Sequence, residues 1–151
     1  MKSIFDPSTR NELIARINSL SANHHPQWGK MTIHEMIRHM TIWNEWVLGK
    51  HPDHIYKQGL LGKIFGKMAL KANVKDNTPM KKGMPAGKFF LSKGFKADLE
   101  SQKSIWIQHV ADYGNFSNPR FLHDFFGVMT PDQIGIFAYK HADHHLRQFD
   151  V

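Results

Sequence analysis

The chain has 151 residues and no cysteine. That length suits one domain with its own core, and the composition excludes a disulfide framework, a cysteine-based zinc or iron–sulfur site and a cysteine nucleophile. Lysine and arginine number 20 against 13 acids, for a formal net charge of +7, and histidine is abundant at 11. No apolar run approaches the ~20 residues of a membrane span, and the first residues hold no apolar stretch of signal-peptide length. The expectation is therefore a single cytoplasmic domain over residues 1–151, with no membrane partner.

The first predicted helix runs from Pro7 to Leu20, where Leu13, Ile14, Ile17 and Leu20 recur at helical spacing. Asp6 or Ser8 can cap it. A loop punctuated by Pro26 and Gly29 follows. The second helix starts on Thr32-Ile33-His34-Glu35, a capping box. It carries an apolar stripe of Ile33, Met36, Ile37, Met40, Trp43 and Val47, and Gly49 and Pro52 stop it. From Lys57 to Lys96 there are ten lysines and one acid, Asp76. Within that segment Leu60 to Lys71 reads as a short extra helix weakened by Gly62 and Gly66. Asn73 to Gly94, with Pro79, Gly83, Pro85 and Gly87, reads as a long loop.

The third main helix spans about Asp98 to Tyr113, with Leu99, Trp106, Val110 and Tyr113 on one face and Gly114 at its end. A loop from Asn115 to Met129 leads to the last helix. There Thr130 takes the cap, Pro131 the first helical position and Gln133 the capping-box position. Ile134, Phe137, Ala138, His141, His145 and Phe149 follow on one side. No segment alternates as a strand does over more than a few residues. The pattern predicts an all-α four-helix bundle, with a long basic loop or short extra helix between the second and third main helices.

Chemistry concentrates on the last helix. His141 and His145 are four residues apart, one turn apart on one face, the spacing that lets two imidazoles reach one metal ion. His144 points about 100° away and does not share that ion. His39 is the best candidate for a third ligand; it sits on the flank of the second helix's apolar stripe, whereas His34 faces outward. His109 and His123 are candidate fourth ligands or proton carriers. On spacing alone the pair also fits chance in a histidine-rich chain, and His39 fits a satisfied residue at the core's edge.

Three stretches resemble the DinB-like superfamily, and within it a subfamily of short bacterial proteins of unknown function. They are Pro26-Gln27-Trp28-Gly29-Lys30-Met31-Thr32 with Arg38-His39-Met40, Phe125-Phe126-Gly127-Val128-Met129-Thr130-Pro131-Asp132-Gln133, and Lys140-His141-Ala142-Asp143-His144-His145-Leu146-Arg147-Gln148-Phe149. The resemblance implies a four-helix bundle whose divalent metal is held by three histidines, one from the second helix and two from the last. The matching positions are His39, His141 and His145. The commoner family ending has arginine and glycine after the paired histidines. Here Leu146 intervenes before Arg147, so no role carries over to the arginine.

Three imidazoles leave positions open on an ion, the layout of a catalytic site. Zinc, nickel, iron(II) and manganese all accept imidazole, and sequence does not choose among them. The resemblance further implies thiol-dependent transferase or isomerase chemistry, in which a low-molecular-weight thiol supplies the nucleophile that a cysteine-free chain lacks. The expected function is a divalent-metal-dependent enzyme acting on a small molecule, by thiol-dependent S-transfer or by hydrolysis. The alternative is a non-catalytic metal- or ligand-binding bundle associated with stress. No catalytic base is assigned; Asp143, Asp112, Glu45 and His109 are the candidates. The basic segment 57–96 suits either an anionic cosubstrate or a solvated surface. Nucleic acid is disfavoured as a partner, since no recognition helix or interleaved aromatics accompany the lysines. The plentiful Met, Trp and Phe are compatible with a homodimer.

Overall fold

A computed structural model describes residues 1–50, 56–84 and 87–151. Pro52 and Pro85, part of the expected helix stop and loop, lie outside them. The described residues form five helices: α1 (Pro7–Ser19), α2 (Ile33–Leu48), α3 (Leu60–Val74), α4 (Leu99–Asp112) and α5 (Pro131–Gln148). Short 3₁₀ turns occupy Lys88–Phe90 and Tyr113–Asn115. Among the described residues there is no strand, only an isolated antiparallel bridge between His123 and Gly127. The all-helical expectation holds, and α3 is the extra helix.

Local chemistry sets the helix ends. At α2 the Thr32 amide donates to Glu35 Oε2 at 2.8 Å while the Glu35 amide donates to Thr32 Oγ1 at 3.3 Å. Two of the orphan donors at the helix start are thereby satisfied. The same reciprocal pair joins Thr130 and Gln133 at α5. Gly49, at φ 74°, ends α2 in the left-handed conformation that glycine adopts without steric cost. At α1 the outcome differs from expectation: Asp6 occupies the cap position, but its side chain makes no capping bond. The Arg10 guanidinium instead holds the carbonyls of Ile4 and Phe5, at 3.1 and 2.7 Å.

Helix α4 packs against both α1 and α2, while α5 packs against α1 and α3. Trp46, Trp106, Tyr113, Leu13, Ile17, Met36, Met40 and Phe149 are fully buried between these layers. Two buried lysines tie helices end to side. Lys103 on α4 donates to the carbonyls of Asn18 and Leu20 at the end of α1, at 2.9 and 2.8 Å. Lys140 on α5 donates to those of Asn73 and Asp76 at the end of α3, at 2.6 and 2.8 Å. Each cation meets carbonyls left without helical partners, at the negative end of the helix dipole.

Helix α3 runs three residues beyond the expected Lys71, to an end where Lys140 donates to the Asn73 carbonyl, and its glycines set how it packs. A Cβ on Gly62 would come within 2.4 Å of the Phe125 carbonyl oxygen, and one on Gly66 within 2.1 Å. Gly62 and Gly66 are thus the contact by which α3 lies flush on the 123–127 loop, and this packing outweighs their low helix propensity. The amide of Gly59 donates to the Asp124 carbonyl at 2.9 Å and Gln58 Nε2 to that of Phe125 at 2.9 Å. The carbonyl of Val128 accepts from Lys67.

Candidate metal centre

Helices α2 and α5 face each other across rings rather than through close backbones. Trp43 of α2 meets Phe137 and His141 of α5, with ring centroids 6.1 and 4.5 Å apart. One turn back along α2, His39 lies 5.3 Å from His141 and 4.8 Å from His145, centroid to centroid. The helical period explains the set. Positions 141 and 145 stack on the face of α5 that looks at α2, and positions 39 and 43 stack on the opposing face.

One ring nitrogen from each of His39, His141 and His145 lies within 4.8 Å of the other two, and no other such group of three exists among the described residues. His39 Nε2 and His141 Nε2 are 3.3 Å apart. That is the separation of two nitrogens each about 2.0–2.1 Å from one tetrahedral ion. All three side chains are buried.

Outer contacts orient two of the ligands. His39 Nδ1 donates to the Phe90 carbonyl at 3.0 Å, which leaves its Nε2 lone pair for the centre. His145 Nδ1 donates to Gln148 Oε1 at 2.9 Å. Gln148 is itself held, because its amide nitrogen donates to the Trp28 carbonyl at 2.8 Å. Such partners fix the tautomer and ring angle of metal-ligating histidines. His141 Nδ1 is buried without a hydrogen-bond partner among the described residues, so Trp43 and Phe137 position that ring by packing.

The electrostatics favour neutral imidazole. Burial pushes His141 and His145 well below the ordinary 6.5, and the neighbouring imidazoles push further in the same direction. His39 is lowered too, by burial, against the opposing pull of the Phe90 carbonyl. Near neutral pH the donors therefore carry lone pairs rather than protons. Buried, convergent, neutral nitrogen donors with two oriented rings fit a borderline divalent ion.

The three histidines line a cavity of about 550 Å³. Its walls are mainly apolar, with Trp43, Met80, Phe90, Phe126 and Phe137 prominent. His123 and His144 line it as well but stand outside the convergent set. His123 Nδ1 accepts from the amides of Phe125 and Phe126, at 3.1 and 3.3 Å. The carboxylate of Asp124 lies against the same nitrogen, with Oδ1 at 3.0 Å. His144 packs edge-on against Trp28, centroids 5.4 Å apart.

The remaining candidates from the sequence are elsewhere. Asp143 pairs with Arg16 at 2.9 Å, and Asp112 pairs with Lys50. His109 is buried on α4, where Glu45, Lys50 and Asp112 are the charges that act on it. None of Asp143, Asp112, Glu45 or His109 lines the cavity. Among the described residues the carboxylate that does line it is Asp124, which lies in a loop, where helical spacing gives no signal. Gln148 belongs to no ligand motif, but its place three residues after His145 puts it on the same side of α5. His39 is buried more deeply than an edge position predicts, because contacts reach α2 from nearly every side. Arg147 is exposed.

Compared with protein-family models, curated proteins and solved structures, the chain matches none.

Proposed function

We propose that this chain is a DinB-like, divalent-metal-dependent enzyme acting on a small, largely apolar molecule, by S-transfer from a low-molecular-weight thiol or by hydrolysis. The observation that carries the reading is the convergence of three neutral imidazoles in the wall of an apolar cavity. His39, His141 and His145 would hold the ion. A divalent ion so held supplies Lewis acidity, which brings the pKa of a water or thiol toward neutrality.

The chain's own residues do the rest. Trp43, Phe126 and Phe137 bind the apolar body of the substrate and exclude water. Asp124 lines the cavity with its Oδ1 3.0 Å from His123 Nδ1, and in this reading that pair would carry the proton transfer of the reaction. Phe90 and Gln148 keep two ligand rings in the required tautomer.

Metal content of tag-free protein is the first test. The wild type and His34→Ala should retain a stoichiometric divalent metal, whereas His39→Ala, His141→Ala and His145→Ala should each lose it. Equal retention in all four variants would reject the site. Activity is then read on low-molecular-weight thiols with an aryl halide, beside amide and ester substrates. Metal-loaded protein inert on both panels would leave a metal-binding bundle without catalysis.

A further inference from the structure

The apolar face of α3 opposite its glycines covers nothing among the described residues. Leu60, Leu61, Ile64, Phe65 and Met68 are 48% to 75% exposed, although they sit in a regular helix of a folded domain. The helical period explains why. Gly62, Gly66 and Leu70 face the body of the protein, so the large residues on the other side turn outward. Lys63, Lys67 and Lys71, each four apart and exposed, form a row along one border of that apolar face. Lys57 adds a fourth cation, and no acid occurs from Lys57 to Lys75.

We propose that α3 is a docking helix for an anionic lipid surface, lying in the plane of the interface with its apolar face among the acyl chains. Charge complementarity selects this occupant. A second copy of the chain docked through the same patch would bring two acid-free lysine rows together, on a molecule that already carries a net +7. An anionic headgroup layer offers apolar depth and negative charge at once, which is what a basic amphipathic helix requires. Helix α3 also reaches the cavity on its other side. Phe125, against which Gly62 and Gly66 pack, and Met84 are both exposed and both line the cavity, while Ala69 and Asn73 of α3 form part of its wall. This surface reading departs from the expectation of no membrane partner, which rested on the absence of a spanning segment. No helix of the described residues is long and apolar enough to cross a membrane, and an interfacial helix does not need to be. The reading is independent of the metal.

The test is flotation of the full chain with phosphatidylcholine vesicles, prepared with and without phosphatidylglycerol. The expected result is binding that requires phosphatidylglycerol and weakens as salt rises from about 0.1 to 1 M. Lys63→Gln with Lys71→Gln should weaken binding about fivefold per lysine. Leu61→Ser with Ile64→Ser should reduce it by about tenfold or more. All four positions are exposed, and circular dichroism checks that the variants keep their helices. Absence of flotation, or flotation indifferent to phosphatidylglycerol and to both variants, would overturn the proposal. So would a wild-type dimer by sedimentation that does not float and that Leu61→Ser with Ile64→Ser converts to monomer. That result would assign the face to a second copy.

Discussion

Gln148 offers a way to separate orientation of a ligand from its presence. Its Oε1 accepts from His145 Nδ1 at 2.9 Å and its amide nitrogen donates to the Trp28 carbonyl at 2.8 Å. Gln148→Leu keeps most of the side-chain volume but removes both bonds. The bond from the Gln27 amide to the Gln148 carbonyl, at 2.7 Å, involves only main chain and survives. Trp28 lies in a half-buried loop, where water can replace the lost donor. His145 is buried, so its N–H is left without a partner, at a cost of about 1–3 kcal/mol in the metal-free protein. Loss of such an outer contact lowers metal affinity by about 10- to 100-fold, or about 1.4–2.7 kcal/mol. Competition against a chromophoric chelator, on protein shown to be folded by circular dichroism, measures the second quantity; urea unfolding of metal-free protein measures the first. Gln148→Glu divides them. It retains an acceptor for His145 and makes it anionic, so affinity should match or exceed the wild type. Stability should still drop, because a carboxylate then faces the Trp28 carbonyl. If Gln148→Leu binds metal as tightly as the wild type while His145→Ala does not bind, the orienting role of Gln148 is wrong.

Two further outcomes follow from the packing and the burial. Gly66→Ala places a methyl group 2.1 Å from a backbone oxygen that cannot rotate away, so α3 must shift, with a loss of about 1–3 kcal/mol or more; Lys63→Ala on the exposed side of the same helix should be close to neutral, and equal thermal midpoints for the two variants would contradict the close approach of α3 to Phe125. In metal-free protein His39, His109, His141 and His145 are held below 6.5, burial being the leading cause in each. Below that value the unfolded chain binds more protons than the folded one, so stability is full above about pH 6.5 and falls as pH drops toward the lowered folded values. The urea midpoint should therefore be lower at about pH 5 than at about pH 7.5, and a flat profile over that range would count against neutral burial of these rings.

Local information was enough for much of this protein. The capping boxes at Thr32 and Thr130 are hydrogen bonds between residues three apart, so nothing distant has to be known to place the starts of α2 and α5. The one-turn spacing of His141 and His145 follows from helix geometry alone, and the flank position of His39 made it a candidate for the same centre. What sequence did not contain was the meeting of the helices. That His39 is buried, that Phe90 and Gln148 hold two of the rings, and that the carboxylate in the cavity is Asp124 rather than Asp143 all depend on which surfaces α2, α5 and the 115–129 loop present to one another. The glycines of α3 show the limit most clearly. Propensity counts Gly62 and Gly66 against a helix, because it weighs only the backbone freedom each residue loses. The tertiary structure places the Phe125 carbonyl where any Cβ would stand, and that contact, made by residues some sixty positions away in the chain, turns the same two glycines into the reason the helix lies where it does.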